Sequence, residues 1–325
     1  MTHRVGVIPG DGIGPEVIAE GLKVIAATGV ALDTVDYDLG GSRYLRDGTV
    51  LDDATVEEWR GLDALYLGAV GTPDVPPGVI ERGLLLKMRF DLDLFVNYRP
   101  FSRTDDGAAH DFVVIRENTE GTYAGEGGFL RKHTPMEIAT QGSVNTRHGV
   151  ERAVRFAFEL ARTRRNHLTL VHKTNVLTFS GDLWQRTFDE VAADYPDVDT
   201  AYNHVDAACI YFVDDPRRYD VIVTDNLFGD ILTDLGGAVS GGIGFAASAN
   251  LNPGRVSMFE PVHGSAPDIV GTGRANPIAA VLSGALMLDH LGETAAADRI
   301  RKACAEPESY TGTTSEIGDA IASAV

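Results

Sequence analysis

Three short segments carry residues able to do chemistry together. "VTDNLFGDILTDLGG" holds Asp230 and Asp234 four residues apart, so a helix through it puts both carboxylates on one face. Like charges at that spacing repel mildly, and a hard divalent cation between them reverses the sign. Mg2+ or Mn2+ suits such oxygen ligands, whereas zinc does not. A solvated acidic face fits the same spacing, so the pair alone leaves both readings open. "LVHKTNV" ends an apolar run on Lys173, and "VVIRENTEGTY" ends another on Arg116, followed by Glu117, Glu120 and Tyr123. Residues just past strand ends border the ligand crevice of an open α/β sheet. Lys173, one of five lysines in the chain, is either a snorkelling surface residue or a functional cation. Asp206 in "NHVDAACIYF" stands between a strand and an apolar helix, where N-capping is the plain explanation. Arg89 and Arg99 flank "DLDLFVNY". Alone they are surface charges; with Arg116 they make an oxyacid clamp, because guanidinium groups bind carboxylates bidentately.

A fourth segment, "GDGIGPEV" at 10–17, follows the apolar run 5–8 like the turn of a dinucleotide-binding domain. Its glycines fall at Gly10, Gly12 and Gly14, and Pro15 occupies the place of the third fingerprint glycine. Proline suits the first turn of a helix. The strand, turn and helix therefore survive while the Rossmann fingerprint does not.

These segments need a scaffold, and the pattern of the chain supplies an α/β one. Strand and helix patterns alternate: a helix at 15–27, a strand at 33–38, a helix at 54–60 and a strand at 64–67. "GLLLKMRFDLDLF" reads as a helix leading to a strand at 95–98, and "PFSRTDDGAAHD" as a polar loop. Strands follow at 112–115 and 137–141, then an amphipathic helix at 146–164 with Val150, Ala153, Val154, Phe156, Ala157 and Leu160 on its apolar side. The strands "HLTLV", "TAYNHV" and "DVIVT" alternate with the helices "DLWQRTFDEVAADY" and "DAACIYFV". A Gly-rich, turn-rich span at 236–254 precedes the last strand and helices. Such alternation implies a mainly parallel sheet with helices on both faces. The loops divide the chain into one lobe of 1–98 plus 241–325 and another of 99–240.

At 325 residues the chain is long enough for two packed lobes. Its formal charge of −19 argues against nucleic acid, whose phosphates call for a basic surface, and makes any local cluster of cations informative. Cys209 and Cys304 are too few for a disulfide framework or a zinc site, and no apolar stretch is long enough to span a bilayer. With no signal-peptide core at the start, the expectation is a cytoplasmic protein without a membrane partner.

Taken in order, these motifs match a family. The chain resembles the β-decarboxylating dehydrogenases, the isocitrate–isopropylmalate dehydrogenase family. The resemblance is carried by GDGIGPE at 10–16, ERGLLLKMRFDLDLFVNYRP at 81–100, RENTEGTY at 116–123, HKTNV at 172–176, HVDA at 204–207, DNLFGDILTDL at 225–235 and FEPVHGSAPDIVGTGRANP at 259–277.

The resemblance implies a two-lobed fold of that family, with the 1–98 plus 241–325 lobe binding cofactor and the 99–240 lobe binding substrate and metal and forming a homodimer. It implies NAD binding without a Rossmann fingerprint, lined by Ile13, Glu81, Glu260, His263, Gly264, Ser265, Ala266, Asp268 and Asn276. Asp268 would pair with the adenosine ribose hydroxyls and repel a 2′-phosphate, favouring NAD over NADP. Arg89, Arg99 and Arg116 would hold the carboxylates of a malate-type substrate, and Asp206, Asp230 and Asp234 would hold Mg2+ or Mn2+. Lys173 and Asp206 would come from the neighbouring subunit. Lys173 would take the hydroxyl proton as hydride leaves C2, CO2 would then be lost, and Tyr123 would help protonate C3. Leu84, Leu85 and the partner-derived Val176 would form an apolar pocket suited to an isopropyl group, which points to 3-isopropylmalate and leucine biosynthesis. Other 3-alkyl- or 3-arylmalates, D-malate, tartrate, isocitrate and homoisocitrate stand as alternative substrates, and a silent NAD-binding relative as the rival of another class.

Overall fold

The computed structural model describes residues 2–103 and 109–325. The chain divides into two compact units, 2–94 with 241–325 and 95–103 with 109–240. In chain order the first unit opens with β1 (Thr2–Gly10), α1 (Gly14–Ala27), β2 (Ala31–Asp36), α2 (Gly41–Asp47), α3 (Asp53–Trp59), β3 (Ala64–Ala69), a π-helical turn (Glu81–Leu86) and α4 (Lys87–Asp91). The second unit holds β4 (Val96–Arg103), β5 (His110–Glu117), β6 (Gly127–Leu130), β7 (Ile138–Gln141), α5 (Arg147–Arg162), β8 (His167–His172), α6 (Thr178–Ala192), β9 (Asp199–His204), α7 (Val205–Asp214), β10 (Val221–Thr224) and α8 (Asn226–Val239). The chain returns to the first unit through β11 (Ala247–Leu251), β12 (Met258–Pro261), α9 (Ile278–His290), α10 (Thr294–Ala303) and α11 (Thr314–Ala324).

Strand order in the first unit is β2-β1-β3-β12-β11, parallel except for the β11/β12 pair. In the second it is β4-β5-β10-β8-β9, parallel except for β4/β5. Strands covered on both faces lose the alternation of a half-exposed sheet. Accordingly every residue of β3 (ALYLGA) and of β10 (VIVT) is buried. The helix α9 is apolar nearly all round and lies inside its unit. The helix α5 shows the opposite pattern: Thr146 caps it by accepting the Gly149 N–H, and one stripe is buried. Phe158 and Ala161 complete that stripe, while Phe156 and Leu160 are only partly covered.

The fold departs from the sequence expectation in a few places. "VNYRPFSR" is a single strand, so residues 100–103 extend β4 where a polar loop was expected, and the first crossing between units falls at 94/95 rather than 98/99. Antiparallel pairing with β5 along its whole length holds this polar segment in register; residues 104–108 of the expected loop lie outside the described residues. The Gly-rich span is also more ordered than its composition implies. The helix α8 runs through Gly236, where an added Cβ would meet the Phe101 ring at 2.9 Å, and β11 occupies 247–251. The helix α2, the strand β6 and the π-helical turn were not anticipated.

One buried carboxylate ties the first unit's turns together. Asp11, 3% exposed, accepts the backbone N–H groups of Gly41 (2.6 Å), Ser42 (2.8 Å) and Gly71 (2.9 Å). Burial pushes its pKa up, but the hydrogen bonds from Ser42, Gly71 and Gly41 outweigh that and hold it below the ordinary carboxylate value. The beginning of α2 and the loop after β3 are thereby fixed to the β1/α1 turn. Asp11→Asn is expected to destabilise the protein by about 1–3 kcal/mol at neutral pH, since the amide donates where only acceptors are wanted. Because the folded pKa is depressed, the advantage of Asp11 is present above the ordinary carboxylate pKa and is lost as pH falls through the folded one. Urea titrations of both proteins at a series of pH values should show the gap narrowing only in strong acid.

Candidate active site

The second unit presents its reactive side chains at one end of its sheet. The parallel strands β5, β10, β8 and β9 run in register, with Thr224 opposite Arg116 and Val171, and His172 opposite His204. Arg116 is the penultimate residue of β5, Lys173 follows β8, Asp206 sits in the first turn of α7 after β9, and α8 begins just past β10. All four therefore leave the carboxyl ends of parallel strands, where open α/β sheets bind ligands.

Arg116 is 1% exposed and anchors the first cluster. Its Nε donates to Asn226 Oδ1 at 2.9 Å, and its terminal nitrogen forms an ion pair with Asp230. The Tyr123 hydroxyl donates to the other Asp230 oxygen at 2.6 Å, and the Arg116 guanidinium lies 5.1 Å from the Tyr123 ring centre. Gly229 makes the approach of α8 to Arg116 feasible: a Cβ there would stand 2.5 Å from Arg116 Cγ. Arg99 joins from β4, held by Asn97 Oδ1 at 2.9 Å and Thr233 Oγ1 at 3.1 Å. Burial would raise the Asp230 pKa, but Arg116, the Tyr123 hydroxyl and Arg99 together bring it below the ordinary value. Asp234 is exposed one turn further along α8.

The second cluster is the pair Lys173–Asp206, with Nζ donating to Oδ1 at 2.6 Å. This bond is the main reason the Asp206 pKa lies below its usual value. N-capping does not explain Asp206: His204 is the cap residue of α7, without a side-chain bond, and Asp206 lies inside the helix. Around the loop, Val176 is 64% and Phe179 is 91% exposed. Ile210 and Val213 on α7, Ile231 on α8, and Phe129 and Leu130 on the β6/β7 ribbon are exposed as well. No group of three His, Cys, Asp or Glu side chains able to hold a metal forms among the described residues of one chain. The two aspartates of α8 and Asp206 thus belong to separate clusters within the chain.

In the first unit, the β1/α1 turn and the "HGSAPD" loop meet. The Ile13 N–H donates to the Ser265 carbonyl at 2.9 Å, and Gly12 has φ +59° with no room for a Cβ, which would lie 2.0 Å from that oxygen. Ile13 packs with Val17, Ala275 and Ala280, and Ala266 and Ile269 rest on them. Ala266 holds a left-handed φ of 41°, a conformation costly for a residue with a Cβ. His263 Nδ1 lies 3.1 Å from the Gly264 carbonyl, its Nε2 is buried without a hydrogen-bond partner, and burial depresses its pKa so the ring is neutral near pH 7. Asp268 is exposed beside this loop, and Asn276 Oδ1 accepts the Ile278 N–H at 2.9 Å. Glu260 accepts from Asn250 at 2.7 Å and faces Arg89 at 3.7 Å. Glu81 is exposed and accepts the Gly78 N–H at 2.8 Å.

Leu84 does not fit the pocket expected of it. It has no exposed surface and packs in the core with Trp59, Met88, Leu92 and Leu94. The π-helical turn widens the helix by one residue per turn and rotates its leucines relative to an α-helical count. Leu85 and Leu86 are the leucines of that turn left partly exposed. Sequence reasoning also missed the supports. Asn226, which holds Arg116, had a signal in its adjacency to the metal-type motif. Glu117, noted in the sequence only for following Arg116, is buried, accepts the Thr119 and Glu120 N–H groups at 2.8 Å each, and holds the "ENTEG" turn that delivers Tyr123. Burial raises its pKa despite those bonds.

Known proteins match this chain along nearly its whole length. The sequence profile of the family described as isocitrate/isopropylmalate dehydrogenase matches residues 4–322. The 3-isopropylmalate dehydrogenase of Nocardia farcinica is 58% identical over 99% of this chain and 100% of its own length. That of Thermobifida fusca is 57% identical over 100% of this chain and 98% of its own. Among solved structures, the isocitrate dehydrogenase of Methylococcus capsulatus superposes with a TM-score of 0.91 at 38% identity, covering 99% of each chain.

The core placement of Leu84 has a direct consequence. Leu84→Ala is expected to lower stability by about 2–5 kcal/mol, the cost of a buried cavity, as read by chemical denaturation. A loss under about 0.5 kcal/mol would contradict that placement.

Proposed function

We propose that this chain, which belongs to the isocitrate/isopropylmalate dehydrogenase family, oxidatively decarboxylates 3-isopropylmalate with NAD+ and Mg2+ or Mn2+, yielding 4-methyl-2-oxopentanoate and CO2. That places it in leucine biosynthesis. The observation that carries the reading is the pair of clusters at the strand ends of the second unit, Arg116–Asp230–Tyr123 with Arg99 and Lys173–Asp206, in a chain of this family. A silent NAD-binding relative would have no chemical need for Lys173, Tyr123 and the three aspartates.

Arg99 and Arg116 bind the substrate's carboxylates and bring cations into a chain of net charge −19, and Arg89 is the third arginine assigned that role. Asp230 and Asp234 of one subunit and Asp206 of its partner would hold the divalent cation, a hard-oxygen donor set. Their separation within one chain is the feature that calls for a second copy. Exposed apolar side chains on α7, α8 and the β6/β7 ribbon support a homodimer, because an isolated two-stranded ribbon is marginal in water and such surface is usually covered. When bound, NAD+ would supply the hydride acceptor for C2, and the cation would supply stabilisation of negative charge on the substrate oxygens. Lys173 takes the C2 hydroxyl proton. The Tyr123 hydroxyl turns from Asp230 to deliver a proton to C3 after CO2 has left. The orphaned Nε2 of His263 and the junction of Ile13 with Ser265 fit a nucleotide beside that loop, with Gly264, Ala266, Asn276, Glu81 and Glu260 as its further neighbours. Asp268 favours NAD by repelling a 2′-phosphate.

Leu85, Leu86 and the partner's Val176 form the apolar wall for the C3 substituent, which favours isopropyl over the carboxymethyl group of isocitrate. The Methylococcus capsulatus relative keeps isocitrate as the second reading.

NADH formation is the test, with Mn2+ and a panel of 3-isopropylmalate, isocitrate, D-malate and tartrate. The highest kcat/KM is expected for 3-isopropylmalate, and a preference for isocitrate would overturn the substrate assignment. Chelation by EDTA should remove activity and added Mn2+ restore it. Lys173→Ala should reduce kcat by about 10²–10⁴-fold, the range of a lost general base. Replacing NAD+ by NADP+ should lower kcat/KM, and Asp268→Ala should narrow that gap.

A further inference from the structure

We propose that Tyr202 is the positioning residue of the Lys173 base, its hydroxyl clamping the main chain on both sides of that lysine. The inference rests on the assignment of Lys173 as the base. Tyr202 lies on β9 opposite Leu170, two residues before the end of the neighbouring strand β8. Its hydroxyl receives the Thr174 N–H at 3.1 Å and lies 2.9 Å from Thr174 Oγ1, just after Lys173. It also reaches the His172 carbonyl at 3.2 Å, just before Lys173, and His204 Nδ1 at 2.8 Å. One hydroxyl has a single proton and two lone pairs, so in the clamp it donates to the His172 carbonyl while accepting from the Thr174 N–H, and His204 in its Nδ1–H tautomer is the second donor to it.

The consequence lies in where the chain would otherwise be loose. The strand β8 ends at His172, and Lys173 opens the loop to α6. The Lys173 carbonyl is taken by the N–H groups of Val176 (3.1 Å) and Leu177 (2.9 Å), which curls the loop without fixing where it leaves the sheet. Tyr202 supplies that missing fixture. Gly181 completes it by letting α6 approach: an added Cβ would stand 2.7 Å from Thr174 Cα. The strand that carries Tyr202 also leads into Asp206, two residues past the His204 cap, so the clamp joins the two backbones from which the Lys173–Asp206 pair arises. A base displaced by about 1 Å loses much of its catalytic advantage without any loss of substrate binding.

The test is a double-mutant cycle on the full-length enzyme with 3-isopropylmalate, NAD+ and Mn2+. Tyr202→Phe removes the hydroxyl and keeps the ring. It is expected to lower kcat by about tenfold, leave KM within about twofold and change Tm little. In a Lys173→Ala background, adding Tyr202→Phe should change the residual rate by less than about twofold, since a residue acting through Lys173 has nothing left to position. A Tyr202→Phe enzyme with unchanged kcat beside a crippled Lys173→Ala enzyme overturns the clamp alone. Multiplicative losses in the double variant, or a rise in KM that accounts for the lost kcat/KM, overturn it too. Full turnover by Lys173→Ala overturns the base assignment and the clamp with it. If Tyr202→Phe does not fold, amide exchange of Thr174 in the unsubstituted enzyme decides: slow exchange is expected, and exchange as fast as that of exposed loop amides overturns the clamp.

Discussion

The parallel pairing of β5, β10, β8 and β9 is the constraint on which the rest of the site depends. A parallel ladder sends every strand in the same direction, so the four chain segments that follow them emerge at one edge of the sheet. The register then sets their relative heights. Thr224 lies level with Arg116 and Val171, and His172 lies level with His204. A one-residue slip would turn the buried side chains of these strands to the wrong face and carry Arg116, Lys173 and Asp206 out of step. The apolar runs "VVI", "LTLV" and "VIV" keep these strands inside the unit, because both of their faces are covered.

Electrostatics works within that frame. The chain is strongly acidic, yet Arg116 is almost wholly inside it. Its charge is compensated by Asp230 and by the Asn226 side-chain oxygen, while Arg116, the Tyr123 hydroxyl and Arg99 hold the Asp230 pKa below its ordinary value despite burial. In the first unit Asp11 serves a different end with similar physics: a carboxylate surrounded by backbone N–H donors fixes turns and contacts no ligand-binding side chain of the clusters described.

Local regularity explains which parts of the fold were readable. The amphipathic period of α5, the continuous runs of β5 and β10 and the apolar helix α9 each follow from the side chains of their own segment. The strand through "RPFSR" does not, since its polar residues join the sheet only because β5 runs beside them. The π-helical turn at Glu81–Leu86 is of the same kind: nothing in "ERGLLL" distinguishes it from an α-helix, and the change of phase sends Leu84 into the core. In the site, the spacing of Asp230 and Asp234 left a cation site and a solvated face both open, and Tyr123 took its role from the family resemblance. Their supports Asn226 and Glu117 act through contacts or turns that composition does not register.

By itself the sequence determined the α/β alternation, the absence of a fingerprint glycine at Pro15, and the supply of three aspartates, three arginines, a lysine and a tyrosine near strand ends. Periodicity and residue chemistry are properties of short segments, so one chain read end to end suffices for them. Only the tertiary structure decided that Asp206 pairs with Lys173 and not with Asp230, that Leu84 serves the core, and that one tyrosine hydroxyl grips the chain on both sides of Lys173. Those outcomes depend on which distant segments become neighbours and in what register, and that is a property of the folded chain as a whole.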